Sequence, residues 1–181
     1  MVHVTALYRS LLIPAFLTLS LPVWASAPSQ GHGRISVAGS IIDSACAIAT
    51  DSREQSVDIG DVPFEQLIRD GYGPARPFTI HLINCVLTRP DPTRPNWETF
   101  AITFEGLREK RYFGVTGSAS GIALKITDAD GNVVTPGRAM NRRHIQPKDM
   151  RLNYYITPVA SGHVLKPGDY SSSIQFRLDY F

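Results

Sequence analysis

Cysteine is scarce in this chain of 181 residues, and the two present, Cys46 and Cys85, exclude a disulfide-dense scaffold and a four-thiolate metal site. Histidine is scarce too. Beyond the first thirty residues stand His32, His81, His144 and His163, with no pair at metal-ligand spacing on one element, so no metal and no cofactor is expected. Charge of one sign is missing: 18 Lys and Arg face 16 Asp and Glu for a formal +2, which points to no nucleic-acid partner. Catalytic patterns fail on inspection. The run Gly117-Ser118-Ala119-Ser120-Gly121 has Ala119 where a nucleophile elbow needs serine, and reads as a glycine-rich loop. Asp128, Asp130 and Asn132 resemble the start of a calcium loop, but Gly131 falls at the fourth position rather than the sixth, and Ala139 stands where a bidentate glutamate belongs. A hairpin turn is the better reading, and the chain is not expected to be an enzyme. Arg108, Lys110 and Arg111, and again Arg142, Arg143 and His144, form small basic clusters that read as solvated surface or as contacts to neighbouring molecules.

Long apolar runs are limited to Leu11–Val23, short of the roughly 20 residues a spanning helix needs. With Arg9 before it and Ala25, Ser26 and Ala27 after it, the run reads as a secretory signal peptide over residues 1–25, leaving Ser26 as the mature start and no membrane segment thereafter. Export to an oxidising compartment predicts that Cys46 and Cys85 pair. Closing a loop of about 40 residues would stabilise the fold by roughly 4 kcal/mol in the chain-entropy model. The remaining length suits one domain.

Period-two alternation supplies the fold class. Phe78, Ile80 and Leu82; Phe100, Ile102 and Phe104; Ile122, Leu124 and Ile126; and Leu152, Tyr154 and Ile156 each share one face of a strand. A last amphipathic strand is predicted from Tyr170 to Phe181, with Ile174, Phe176, Leu178 and Tyr180 on one face. Turn residues separate the runs at Gly71 to Pro74, Asp130-Gly131 and Lys166 to Asp169. The prolines between Thr88 and Asn96 mark an exposed loop. A single short helix is expected around Phe64 to Asp70, where Phe64, Leu67 and Ile68 share a face. Together these read as an all-β antiparallel sandwich of the immunoglobulin type.

Two features do not fit a self-contained sandwich. The polar, glycine-rich segment after the leader runs into an extended stretch in which Ser29, Gly31, Gly33, Ile35 and Val37 lie on one face. At the other end, nothing is seen to follow the Tyr170–Phe181 strand and cover its edge, and an open edge beside apolar residues costs free energy until something pairs with it. A complete sandwich, acting as a secreted binding module, stays open as an alternative reading.

The combination of short motifs resembles the chaperone/usher pilins. It comprises Gly39-Ser40-Ile41-Ile42 before Ala45-Cys46-Ala47-Ile48, then Val57-Asp58-Ile59-Gly60 and Phe78-Thr79-Ile80-His81-Leu82-Ile83-Asn84-Cys85. It continues through Thr103-Phe104-Glu105-Gly106, Gly121 to Asp128, Leu152-Asn153-Tyr154-Tyr155 and Phe176-Arg177-Leu178-Asp179-Tyr180. That resemblance implies an incomplete immunoglobulin-like sandwich over residues 39–181, lacking its last strand and completed in trans by donor-strand complementation. Residues 26–38 would be the donor extension, with Ser29, Gly31, Gly33, Ile35 and Val37 entering a neighbour. Ile174, Phe176, Leu178, Tyr180 and Phe181 would form the acceptor groove and the contact to a periplasmic chaperone. An outer-membrane usher and neighbouring pilin subunits complete the implied partners, and the implied place is a fimbria on the cell surface, where it contributes to cell adhesion. Gly71-Tyr72-Gly73-Pro74 before Arg76 and Phe78 is similar to the P-pilus terminator, whose extension is longer; a minor or shaft subunit is the preferred reading.

Overall fold

The computed structural model describes Ser36 and residues 43–181. The sandwich is built within the unit Ile41–Phe181. The expected leader, and the extension over residues 26–38 apart from Ser36, lie outside the described residues.

In chain order the elements are β1 (Ala47–Ile48), α1 (Thr50–Arg53), α2 (Phe64–Asp70), β2 (Arg76–Cys85), β3 (Thr99–Gly106), β4 (Arg108–Glu109) and β5 (Tyr112–Phe113). There follow β6 (Thr116–Gly117), β7 (Ile122–Asp128), β8 (Val133–Val134), β9 (Arg143–His144), β10 (Lys148–Ala160), β11 (Tyr170–Ser171) and β12 (Ile174–Tyr180). One sheet runs β1-β2-β10-β7-β5-β4, with β8 also on β7; the facing sheet runs β12-β3-β9, and β6 and β11 form a separate ribbon. Each named pairing is antiparallel. The expected sandwich is therefore present.

Alternation places the core as the sequence predicts. Ile80 and Leu82 on β2, Phe100, Ile102 and Phe104 on β3, and Leu152 and Tyr154 on β10 are all at most 2% exposed. Phe104 meets Tyr154 edge-on at 5.0 Å between centroids, joining the two sheets through aromatic rings. The disulfide joins Cys46, just before β1, to Cys85 at the end of β2. It fixes the short β1 to the long β2, whose pairing is otherwise only Ala47 with Ile83 and Ile48 with Leu82. Pro158 sits inside β10 opposite Leu124 of β7. Beyond the last β2 pair, Arg76 with Ile156, the pairing on that side continues only as the short Gly71–Gly73 segment, where Pro158 takes part through its carbonyl alone, accepting the Gly73 N–H at 2.8 Å.

The predicted helix appears as α2, closed by Gly71 in the left-handed region at φ 77°, whose N–H donates to the Leu67 carbonyl at 3.1 Å. A second helical turn, α1, was not expected. It has no apolar period; Ser52, 3% exposed, holds it to the sheet by accepting the His81 N–H at 2.9 Å.

Two further readings need correction. The strand expected from Tyr170 to Phe181 is broken: Tyr170 and Ser171 pair with Gly117 and Thr116, and Ser172 turns its hydroxyl to the Gly114 carbonyl at 2.8 Å before β12 begins. The Gly117–Gly121 run is consequently not a free loop but one side of that ribbon. Gly121, at φ +76°, lies so close to the Val164 carbonyl that a Cβ would come within 2.5 Å of it. The basic clusters are exposed, as expected, and several members are also tethered to the fold. Arg108 donates to the Pro136 carbonyl, Lys110 donates to the Ser161 carbonyl at 2.5 Å, Arg142 stacks 3.6 Å over Phe181, and Arg143 and His144 pair with β3. The expected turn at Asp130-Gly131 is present, and the Asp128 carboxylate is engaged inside it, accepting from the Asp130 and Asn132 backbone N–H groups at 3.0 and 2.8 Å.

Candidate functional site

The two sheets do not close on each other along β12. One edge of β12 pairs with β3 over seven residues, from Ile174 opposite Gly106 to Tyr180 opposite Phe100. Among the described residues no strand pairs with its other edge. Burial records the consequence. Phe100, Ile102 and Phe104 on β3 are 1–2% exposed, whereas their partners Tyr180, Leu178 and Phe176 are only partly buried. Same-face neighbours on adjacent strands of a closed sandwich would be covered alike.

The opening is a cleft of about 940 Å³. Ile48, Val57 and Ile59 line one wall, Tyr170, Ile174 and Phe176 the other, and Phe78, Ile80, Phe104, Leu124, Ile126 and Ile156 lie between them. Most of the partly buried apolar side chains that pack on the core are in this lining. The Tyr170 hydroxyl is itself buried there without a hydrogen-bond partner among the described residues. Burial, with the Asp58 carboxylate adding to it, raises the Tyr170 phenol above its ordinary value, so it stays a hydrogen-bond donor.

Of the five residues expected to form the acceptor groove, the structure brings two, Ile174 and Phe176, to the cleft. Leu178 continues the same row as a partly buried residue. Tyr180 instead seals the sandwich near β1: its ring packs on Trp97 at 5.9 Å, and its hydroxyl donates to the Cys46 carbonyl at 3.5 Å. Phe181 extends the pairing past β12, donating its N–H to the Thr99 carbonyl at 2.8 Å while its own carbonyl accepts from Glu98 at 2.8 Å and Thr99 at 3.1 Å. The five expected donor residues, Ser29, Gly31, Gly33, Ile35 and Val37, lie outside the described residues. The opposing wall was missed as a site. Its signal was the alternation of Val57 and Ile59 ahead of Gly60, too short to read as a strand by itself.

No protein-family model matches the chain. Curated relatives do. The chain is 30% identical over 165 residues to the PRS fimbrial minor pilin protein of Escherichia coli, covering 90% of this chain and 85% of the relative. It is 33% identical over 163 residues to the major MR/P fimbria protein of Proteus mirabilis, covering 86% and 88%. The chain belongs to the chaperone-usher fimbrial pilins. Among solved structures, the P pilus rod subunit PapA superposes with a TM-score of 0.67 at 21% identity, covering 76% of this pilin and all of that chain. A chaperone-usher pilus structure gives the same TM-score at 24% identity and 87% coverage of this pilin. These likenesses establish the pilin fold. As a member of this family, the pilin is a structural subunit that is exported to the cell surface within a fimbria and assembles with other pilin subunits.

Proposed function

We propose that the cleft beside β12 accepts an extended strand from another molecule, and that this pilin polymerises by giving its own extension in return. The observation that carries this reading is the contrast between the buried row on β3 and the half-covered row on β12 beside a free edge. An added strand would supply main-chain hydrogen bonds to that edge and alternate side chains to the space behind it. The unpartnered Tyr170 hydroxyl favours an incoming backbone, which carries the acceptor it lacks.

The donor is residues 26–38, with Gly31, Gly33, Ile35 and Val37 directed inward and Ser29 at the leading end. A periplasmic chaperone holds the cleft first by lending a strand, contacting Ile174, Phe176, Leu178, Tyr180 and Phe181. An outer-membrane usher then oversees exchange for the extension of the next subunit, and the resulting fimbria contributes to cell adhesion. Within it the chain serves as a minor or shaft subunit. Ile35→Asp and Val37→Asp test the donor assignment, since each would place a charge in an apolar space without touching the acceptor cleft. Both variants should bind chaperone normally and fail to enter polymer; incorporation at the wild-type level would overturn the assignment.

A further inference from the structure

A second recess, of about 320 Å³, shares no lining residue with the cleft. It lies between the β7–β8 turn and the segment that leads into β9. Tyr154 is at its base, 1% exposed, and its hydroxyl has no hydrogen-bond partner among the described residues. Burial pushes the Tyr154 phenol up to about 12, so at neutral pH it is a donor. Arg138 and Arg143 line the recess, and neither forms an ion pair among the described residues. Across from them Asp128 is occupied by three donors of its own turn, the third being the Asn132 side-chain amide at 3.0 Å. Asp130 and Asn141 remain free to accept or donate, and Met140 gives the recess an apolar side.

These groups specify a ligand class. Two uncommitted guanidiniums recognise a carboxylate through paired, charge-assisted hydrogen bonds. A protonated phenol, a carboxylate and an amide around a small apolar surface suit a hydroxylated ring, and the volume is at the lower end of the range for small-molecule sites. We propose that this recess binds a sugar acid of the uronic type, with its carboxylate at Arg138 and Arg143 and its hydroxyls at Tyr154, Asp130 and Asn141. The site is distinct from the strand-exchange cleft, because the two share no lining residue.

The test titrates the full chain, held folded by a strand-donating partner, with glucuronate, glucose, acetate and a glucuronate-terminated oligosaccharide. Glucuronate should bind about tenfold or more tightly than glucose or acetate, since only it supplies both the charge and the hydroxyls. If the oligosaccharide binds as well, the source is a glycan end; if only the free acid binds, the source is soluble. Tyr154→Phe keeps the ring and should weaken glucuronate about fivefold with the thermal transition unchanged, and Arg143→Gln should weaken it about tenfold or more. Glucuronate binding no tighter than glucose or acetate would overturn the proposal. So would unchanged affinity in both variants, which would mark the recess as water-filled.

Discussion

Replacing Phe176 by alanine should separate what this side chain does in the open subunit from what it does once a strand arrives. Phe176 and Phe100 both lie on the inward face of the same sheet, but Phe100 is 1% exposed and outside the cleft, whereas Phe176 is partly buried and lines it. Suppose an incoming strand covers about 55 Å² of the 150–250 Å² that an aromatic side chain presents. At ~25 cal/mol per Å² that coverage contributes ~1.4 kcal/mol. Phe176→Ala should then weaken binding of a strand peptide by about tenfold. Ile102→Val, a milder change at a buried position on the same sheet that is likewise outside the cleft, should cost the fold only about 0.5–1.5 kcal/mol and leave peptide affinity within about twofold. The assay is a fluorescence titration of each full-length variant with a labelled peptide of residues 29–37, run alongside urea unfolding to confirm that each is folded. Equal affinity losses in the two variants would refute the reasoning, because the loss would then follow general destabilisation rather than the cleft.

Other outcomes follow from particular contacts. Removing the Cys46–Cys85 bond by paired alanine substitutions opens a loop with a sequence separation of 39 and should cost about 4 kcal/mol, read by urea unfolding. Gly121→Ala combines a positive φ with a backbone clash at the Val164 carbonyl, and should free the 162–168 segment, seen as faster amide exchange there and at Thr116–Gly117. Tyr154 has a folded-state value of about 12 against an ordinary 10, so the unfolded chain loses its proton first as pH rises. Stability should therefore be intact below pH 10 and fall towards pH 12, and Tyr154→Phe should remove roughly 3 kcal/mol of that fall while leaving the part due to the raised phenols of Tyr170 and Tyr180.

Much of the sandwich is legible in the sequence, because alternation in β2, β3, β7 and β10 is long enough to fix both strand and facing. Short elements are not. Thr50–Arg53 carries no apolar period, and its helical turn depends on Ser52 meeting a strand 29 positions away. The break at Ser172 is likewise invisible locally, since it depends on the Gly114 carbonyl, 58 positions away. Arg108 and Lys110 are exposed, as their sequence suggests, but the carbonyls they donate to are illegible for the same reason, being 28 and 51 residues distant. Of the candidate site, the β12 wall is legible from the alternation of Ile174 and Phe176. The opposing wall is not, because Val57 and Ile59 are placed by the fold rather than by a strand of their own.

The central claim is that the hydrophobic interior stays open along β12 until another chain supplies backbone there. Thermal unfolding of the isolated mature chain, with and without a saturating peptide of residues 29–37, tests it most directly. The chain alone should show a weak, poorly cooperative transition, and with peptide a sharp one at markedly higher temperature, lost again when the peptide carries aspartate at position 35. A lone chain that unfolds cooperatively at high temperature and ignores the peptide would contradict it.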